Sequence, residues 1–211
     1  MAEHRQAGMQ TQKTTSSEQA RSALRERLIS QRNALNAAQQ QDAASALTRQ
    51  ALALPELQQA RRIGLYHSVG GELNTAPLID TLLEQGKQLA LPVLHPFNPG
   101  HLLMLDYSKT TPMRPNRFAI PEPVLSCQAV VPLAQIDCLL IPLVGFDPHG
   151  NRLGMGGGFY DRTLAPWLNG KLPGLTVFGL AHDCQQVEQL PVASWDVPIN
   201  GVITPGRIWR F

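Results

Sequence analysis

The apolar run from Ile136 to Leu143, and the glycine-rich stretch that closes it, constrain this chain more than any other feature. The run reads as a buried strand. It leads into Gly145-Phe146-Asp147-Pro148-His149-Gly150-Asn151-Arg152-Leu153-Gly154-Met155-Gly156-Gly157-Gly158-Phe159-Tyr160-Asp161-Arg162, after which Thr163 to Leu168 reads as the body of a helix. Glycine gives up side-chain packing for bare backbone N–H groups and access to positive φ. N–H groups that converge at a helix N-terminus form a site for phosphate. The residues alone therefore point to a strand–loop–helix anion cradle with Asp161, a metal-competent carboxylate, beside it.

The rest of the chain surrounds that unit with α/β alternation. Residues 1–16 are polar, rich in Gln and Thr and without an apolar period, and are expected to be a disordered leader before a single domain, 17–211. From Ser17 a helical pattern begins, with Leu24, Leu28 and Leu35 on one face and Arg21, Arg25, Arg27 and Arg32 decorating it. A second helix is expected over Ala37–Leu54, stopped by Pro55. Strands are expected over Arg62–His67, Gln88–Leu94, His101–Tyr107, Leu175–Ala181 and Gly201–Thr204, with a helix over Thr75–Gln85 ended by Gly86. Thr110–Pro132 holds five prolines and reads as loop or edge. Strands alternating with helices imply an α/β domain of three layers, a mainly parallel sheet covered on both faces.

Bulk properties exclude several classes. The 211 residues are 43% hydrophobic and 16% charged with a net charge of +2, an ordinary globular balance that makes no case for nucleic acid. No run reaches the length of a membrane span. Cys127, Cys138 and Cys184 are odd in number and widely spaced, which argues against a zinc site or a disulfide framework. Cys138, inside the apolar run, reads as core. The cytoplasm is the expected compartment.

The glycines match neither common phosphate-binding pattern. No Lys-Ser or Lys-Thr pair follows them, as a Walker loop needs, and they run on consecutively, unlike a Rossmann fingerprint. A tight turn without a ligand also fits them taken alone. Arg152 and Asp161 favour the anion reading, because Arg offers planar paired donors to phosphate and Asp suits Mg²⁺. Arg21 and Arg25, four apart, fit a solvated helical face as well as an anion site. Glu72 fits the positive end of a helix, Phe118 a satellite core, and Asp196 a turn before Pro198. His95 and His101 have no ligand-like partners, and His182, which follows the strand Leu175–Ala181, is expected at a cleft on that strand's C-terminal edge without a role as acid or base.

The run Gly145–Arg162 resembles the signature of the 5-formyltetrahydrofolate cyclo-ligases, also called methenyltetrahydrofolate synthetases. That signature is a Gly-Phe-Asp followed by Gly-x-Arg-Leu-Gly-x-Gly-x-Gly-x-Tyr-Asp, and every fixed position is met. Further resemblance lies at Gly71 to Thr75, Phe118 to Pro123 and Leu190 to Asp196. The family implies a fold like that of the phosphosugar isomerases and CoA transferases. It also implies conversion of 5-formyltetrahydrofolate to 5,10-methenyltetrahydrofolate with MgATP, releasing ADP and phosphate. The implied route is phosphorylation of the formyl oxygen and ring closure by N10.

Carried over by position, the resemblance assigns ATP to Arg21, Arg25, Arg152, Leu153, Gly154, Met155, Gly156, Gly157, Gly158, Phe159 and Tyr160. It assigns the folate to His67, Glu72, Phe118, Gly156, Gly157, Gly158 and Phe159. Tyr160 and Arg152 are implied to be catalytic, and Asp161 and Asp196 to hold Mg²⁺. The family opens with Lys-x-x-Leu-Arg where this chain has Arg21-Ser22-Ala23-Leu24-Arg25. Met155 and Gly157 stand where some relatives carry basic residues, and Phe159 where some carry Tyr, so anion binding leans on backbone N–H groups and flanking arginines. The implied partners are ATP and 5-formyltetrahydrofolate alone, with no nucleic acid and no membrane, acting on a monomer. The alternatives are a paralogous ATP-dependent enzyme on another formyl or amide substrate, and a non-catalytic folate- or nucleotide-binding regulator.

Overall fold

The computed structural model describes residues 2–211, with side chains from residue 17 onward; the leader expected over 1–16 lies outside the residues whose side chains are described. In chain order the elements are α1 (Ala2–Asn33), α2 (Ala37–Leu52), α3 (Pro55–Gln59), β1 (Arg62–Gly64), α4 (Ala76–Glu84), β2 (Gln88–Leu94) and β3 (Leu102–Tyr107). There follow β4 (Met113–Pro115), β5 (Pro121–Pro123), β6 (Val130–Val131), β7 (Cys138–Pro142), β8 (Gly145–Phe146) and β9 (Arg152–Leu153). The chain ends with α5 (Phe159–Leu168), β10 (Thr176–Leu180), β11 (Gly201–Ile203) and β12 (Ile208–Arg210).

The main sheet has eight strands in the order β12-β11-β10-β7-β1-β2-β3-β6. Its centre, from β11 to β2, is parallel throughout, and β12, β3 and β6 are added antiparallel at the edges. Continuous apolar runs make such a centre because successive side chains serve opposite faces, and both faces are dry. Cys138, Leu140, Phe178 and Leu180 join a cluster with Leu47 and Ala51 of α2 and with Leu78 and Leu82 of α4. Their neighbours Leu139, Ile141 and Val177 face the other way, into a cluster with Leu164 of α5. The three-layer α/β expectation holds. Cys138 is core, its thiol pushed up to about 12 by burial.

Element boundaries follow local chemistry. Asn36 caps α2 by a reciprocal box with Gln39, and the helix ends two residues short of the expected Leu54 because Pro55 opens α3. Strand β1 is shorter than Arg62–His67, since beyond Leu65 the chain rises into a cleft wall. The Pro-rich segment is more ordered than a loop. Three of its prolines, Pro115, Pro121 and Pro123, sit in the two-stranded β4–β5 hairpin, outside the main sheet, where missing N–H groups cost little. A short last strand, β12, was not legible.

The strand–loop–helix reading needs one correction. A two-stranded hairpin, β8–β9, stands between the apolar strand and the glycines. It exists because Asp147, its side chain fully buried, accepts bonds from His149 N, Asn151 N and Asn151 Nδ2, closing the turn, and from Leu190 N, tying the turn to the chain's later part. Burial raises the Asp147 carboxyl, but the Asn151 side chain and the backbone donors outweigh it and hold the group below its ordinary value. Gly145 of the same hairpin makes room for α1: a Cβ there would fall 2.5 Å from the Leu28 Cδ1 methyl, which would have to shift. The helix after the loop begins at Phe159, earlier than Thr163.

Candidate active site

The strand order reverses between β7 and β1: from β1 the chain moves outward to β2, and from β7 it moves the other way to β10 and β11. Open α/β sheets hold ligands at such a point, outside the carboxyl ends of the strands. A cleft of about 680 Å³ lies there, lined by residues that follow β1 and β7, by the end of β2, by the glycine loop and by the β4–β5 hairpin. The N-terminal helix lies across the same edge. Leu28 packs on Gly145, Arg25 Nε donates to Gly154 O at 2.9 Å, and Arg32 Nη2 donates to Gly70 O at 2.9 Å.

One half of the cleft carries the charges. Gly156 and Gly158 have φ of 93° and 64°, and Gly158 caps α5 in a left-handed conformation that side chains rarely adopt. A Cβ on Gly156 would lie 3.6 Å from the Arg25 guanidinium. Arg162 fastens the loop by donating to Gly157 O and Gly100 O. Arg152, buried, donates from Nη2 to Asp161 Oδ1 at 2.6 Å, and Val197 N donates to the same oxygen. Arg152 Nε has no partner among the described residues. Arg21 grips both oxygens of Asp196, at 2.6 and 2.9 Å, and also Pro191 O. The residues expected to meet ATP and metal are thus brought together, from positions as far apart as 21 and 196, as two guanidinium–carboxylate pairs. Met155 is exposed beside them.

The other half is largely apolar. Glu72 takes Val69 N on Oε2 at 3.1 Å. Burial pushes its carboxyl up, against the Val69 bond and the Arg32 charge. Tyr160 shares this wall; burial first, then the Glu72 charge, pushes its hydroxyl well up, so it is a proton donor at neutral pH. His67 stands edge-on to Tyr107 at 5.4 Å, its imidazole pushed down by burial and hence neutral at pH 7. Phe118, half-exposed on the β4–β5 hairpin, meets Phe159 edge-on at 6.0 Å across the cleft mouth. Buried Glu122 holds that hairpin in place by accepting from Leu94 N and Asn116 Nδ2.

Some residues of the site were not singled out from sequence. Arg32 and Tyr66 line the cleft, both buried, with Arg32 Nε, Arg32 Nη1 and the Tyr66 hydroxyl unpartnered among the described residues. A signal for Arg32 existed: positions 21, 25, 28 and 32 follow helical spacing on one stripe, so Arg32 shares the inner face of Leu28. His182, expected at the cleft edge, is instead buried close to Gly71 and is not among the residues lining the cleft, with Nε2 unpartnered among the described residues. Its imidazole is pushed down chiefly by burial.

The donor set for a divalent cation can be judged by its free oxygens. Among the described residues no three His, Cys, Asp or Glu side chains converge. Mg²⁺ does not need them, since it binds through one or two carboxylates with phosphate oxygens and water. Asp161 fits this, because its Oδ2 has no donor among the described residues. Asp196 spends both oxygens on Arg21 and one also on Ala193 N, and would join only by giving up part of that pair. Among the described residues no helix is long and apolar enough to cross a membrane.

Comparison with known proteins gives a consistent result. Residues 17–205 match the model of the 5-formyltetrahydrofolate cyclo-ligase family. The chain is similar to the 5-formyltetrahydrofolate cyclo-ligase of Escherichia coli (strain K12), 45% identical over 180 residues, covering 85% of this chain and 97% of that protein. It is similar to the protein of the same name from Haemophilus influenzae, 49% identical over 185 residues, with 88% and 97% covered. Its fold is similar to the NMR structure of Aquifex aeolicus 5,10-methenyltetrahydrofolate synthetase, with a TM-score of 0.76, 28% identity, and 90% and 92% of the two chains covered.

Proposed function

This chain belongs to the 5-formyltetrahydrofolate cyclo-ligase family and is an enzyme of that kind, and we propose on that premise that it uses ATP to close 5-formyltetrahydrofolate to 5,10-methenyltetrahydrofolate. The γ-phosphoryl group passes from ATP to the formyl oxygen: its P–O bond to the β-phosphate breaks, a new P–O bond to the formyl oxygen forms, and ADP leaves. N10 then attacks the formyl carbon and loses its proton. The C–O bond breaks, and phosphate leaves with the oxygen. Water is a poor place for this sequence, because a formyl oxygen is a poor leaving group until it is phosphorylated.

The chain's task is positioning and charge neutralisation. Backbone N–H groups from Gly154 to Gly158, with Leu153, Met155 and Phe159, wrap the nucleotide, and Arg21, Arg25 and Arg152 neutralise its phosphates. Arg152 also steadies the phosphoryl group in transfer. Tyr160 keeps its proton at neutral pH and donates toward the formyl oxygen. Glu72 accepts from the folate ring, Phe118 stacks on it, and His67 borders it. Asp161, with Asp196, would hold Mg²⁺, which supplies positive charge to the phosphate oxygens when bound. The enzyme is read as acting on these two small molecules as a cytoplasmic monomer.

The observation that carries this reading is the single cleft where the arginine-and-glycine half meets the Glu72–Phe118 half. The test is direct. Purified protein with MgATP and 5-formyltetrahydrofolate should generate the near-UV absorbance of the methenyl product and release ADP in step with it. Absence of product under these conditions would contradict the proposal.

A further inference from the structure

We propose that Arg32 determines specificity in the folate half, reading the carbonyl of the bicyclic ring while Glu72 reads the adjacent amino and ring N–H groups. The inference rests on the function proposed above and deepens it. Three observations carry it.

The first is burial without satisfaction. Arg32 is 3% exposed, yet of its donors only Nη2 has a partner, Gly70 O, and Nε and Nη1 are buried and unpartnered among the described residues. A guanidinium carries five N–H donors, and a buried cation is costly unless its donors are met. Anchoring α1 to the Gly70 turn would need one donor and no charge. The second is position. Arg32 lines the cleft with Tyr66, Val69 and Glu72, and no carboxylate lies within 4.0 Å of it among the described residues. Its charge acts on the Glu72 carboxylate without contact. A donor and an acceptor are therefore held in one apolar wall, near enough to share a ligand and not paired with each other.

The third is the chemistry of the substrate. The pyrimidine edge of 5-formyltetrahydrofolate presents an exocyclic amino group, a ring N–H and a carbonyl oxygen in a row. A carboxylate accepts from the first two. The third needs a donor, and Arg32 is the buried donor beside Glu72, with the Tyr66 hydroxyl near it as a second. A site built to hydrogen-bond a substrate group rejects the analogue that lacks it far more strongly than an apolar pocket rejects a change of size.

The test measures equilibrium binding of 5-formyltetrahydrofolate and of the same molecule with the ring carbonyl replaced by an amino group. That replacement sets a donor against Arg32, and because it also removes the ring N–H that faces Glu72, the arginine's share is read from the change in the ratio between wild type and Arg32 variants. The wild-type protein should bind the amino analogue roughly 10- to 100-fold more weakly. In Arg32→Met the parent should bind about tenfold more weakly or worse, the ratio between the two ligands should fall at least about threefold below the wild-type ratio, the remainder being owed to Glu72, and MgATP affinity should stay within about twofold. Arg32→Gln, which keeps one donor, should lie between, and it serves if the methionine variant does not fold. Either variant with the wild-type ratio, or with equal loss for both ligands, overturns the assignment, as does a wild-type protein that binds the two equally. A wild-type protein that binds neither overturns the proposed function itself.

Discussion

The two halves of the cleft handle charge in opposite ways. In the proposed ATP half the two carboxylates are already matched: Asp161 with Arg152, and both oxygens of Asp196 with Arg21. In the proposed folate half Arg32 and Tyr66 are buried and Glu72 is half-buried near them without a direct pair, and burial pushes the Glu72 carboxyl up. Self-paired ions are cheap to hold and costly to separate, since removing one partner leaves the other buried and bare. Unpaired buried groups are costly to hold and gain when a ligand meets them. The ATP half should therefore bind by exchanging partners, and the folate half by supplying missing ones.

The largest expected effect breaks the ATP half. Asp161→Asn should lower kcat by roughly 10²- to 10⁴-fold, as loss of a charge-stabilising group does. MgATP affinity should fall with it and the fold persist, with a lower melting temperature because Arg152 loses its counter-charge. Normal turnover would remove Asp161 from the metal and phosphate site.

Next comes the folate half. Glu72→Gln should raise KM for 5-formyltetrahydrofolate roughly 10- to 100-fold, the cost of losing a charged acceptor, and leave KM for MgATP alone. The pH dependence separates the halves further. The folded carboxyl titrates above its ordinary value of 4.5, so in the wild type folate affinity should fall as pH drops through that raised value. The Gln variant should be flat there. The sign reverses for stability. The folded state binds the Glu72 proton more tightly than the unfolded one, so stability falls as pH rises from about 4.5 through the raised value. Glu72→Gln should escape that loss and melt no lower than wild type at neutral pH.

Arg21→Ala should be milder, raising KM for MgATP by about tenfold or less, because the exchange leaves Arg25 and Arg152 in place. The smallest effect belongs to Phe118→Ala. This half-exposed ring contributes about 0.5–1.5 kcal/mol by stacking, so KM for the folate should rise roughly two- to tenfold while the melting temperature barely moves. A large loss of stability would make Phe118 a core residue and blur the boundary between the halves.

The same contrast explains what the sequence could reveal. The glycine loop of the proposed ATP half was legible because its residues are contiguous: glycines with positive φ, then Tyr160 and Asp161, after an apolar strand. The sheet's parallel centre was legible from apolar runs bounded by Gly and Pro. The β8–β9 hairpin was not, because two-residue strands carry no periodicity and their turn depends on the long-range bond from Leu190 to Asp147. The β4–β5 hairpin was hidden because its prolines signal the absence of a ladder, true of the main sheet and not of a small separate one. In the folate half, burial decides the chemistry of Arg32, Tyr66 and Glu72, and burial arises only when α1 crosses the sheet edge. The spacing from Arg21 to Arg32 contained that fact, but a solvated face explained the arginines equally well until the crossing was seen.

The account's central claim is that the two halves have separable tasks, and titration of each ligand into two variants tests it most directly. Asp161→Asn should bind MgATP at least about tenfold more weakly and 5-formyltetrahydrofolate within about twofold of wild type, and Glu72→Gln should show the reverse. Both variants weakening both ligands to the same extent would contradict the claim.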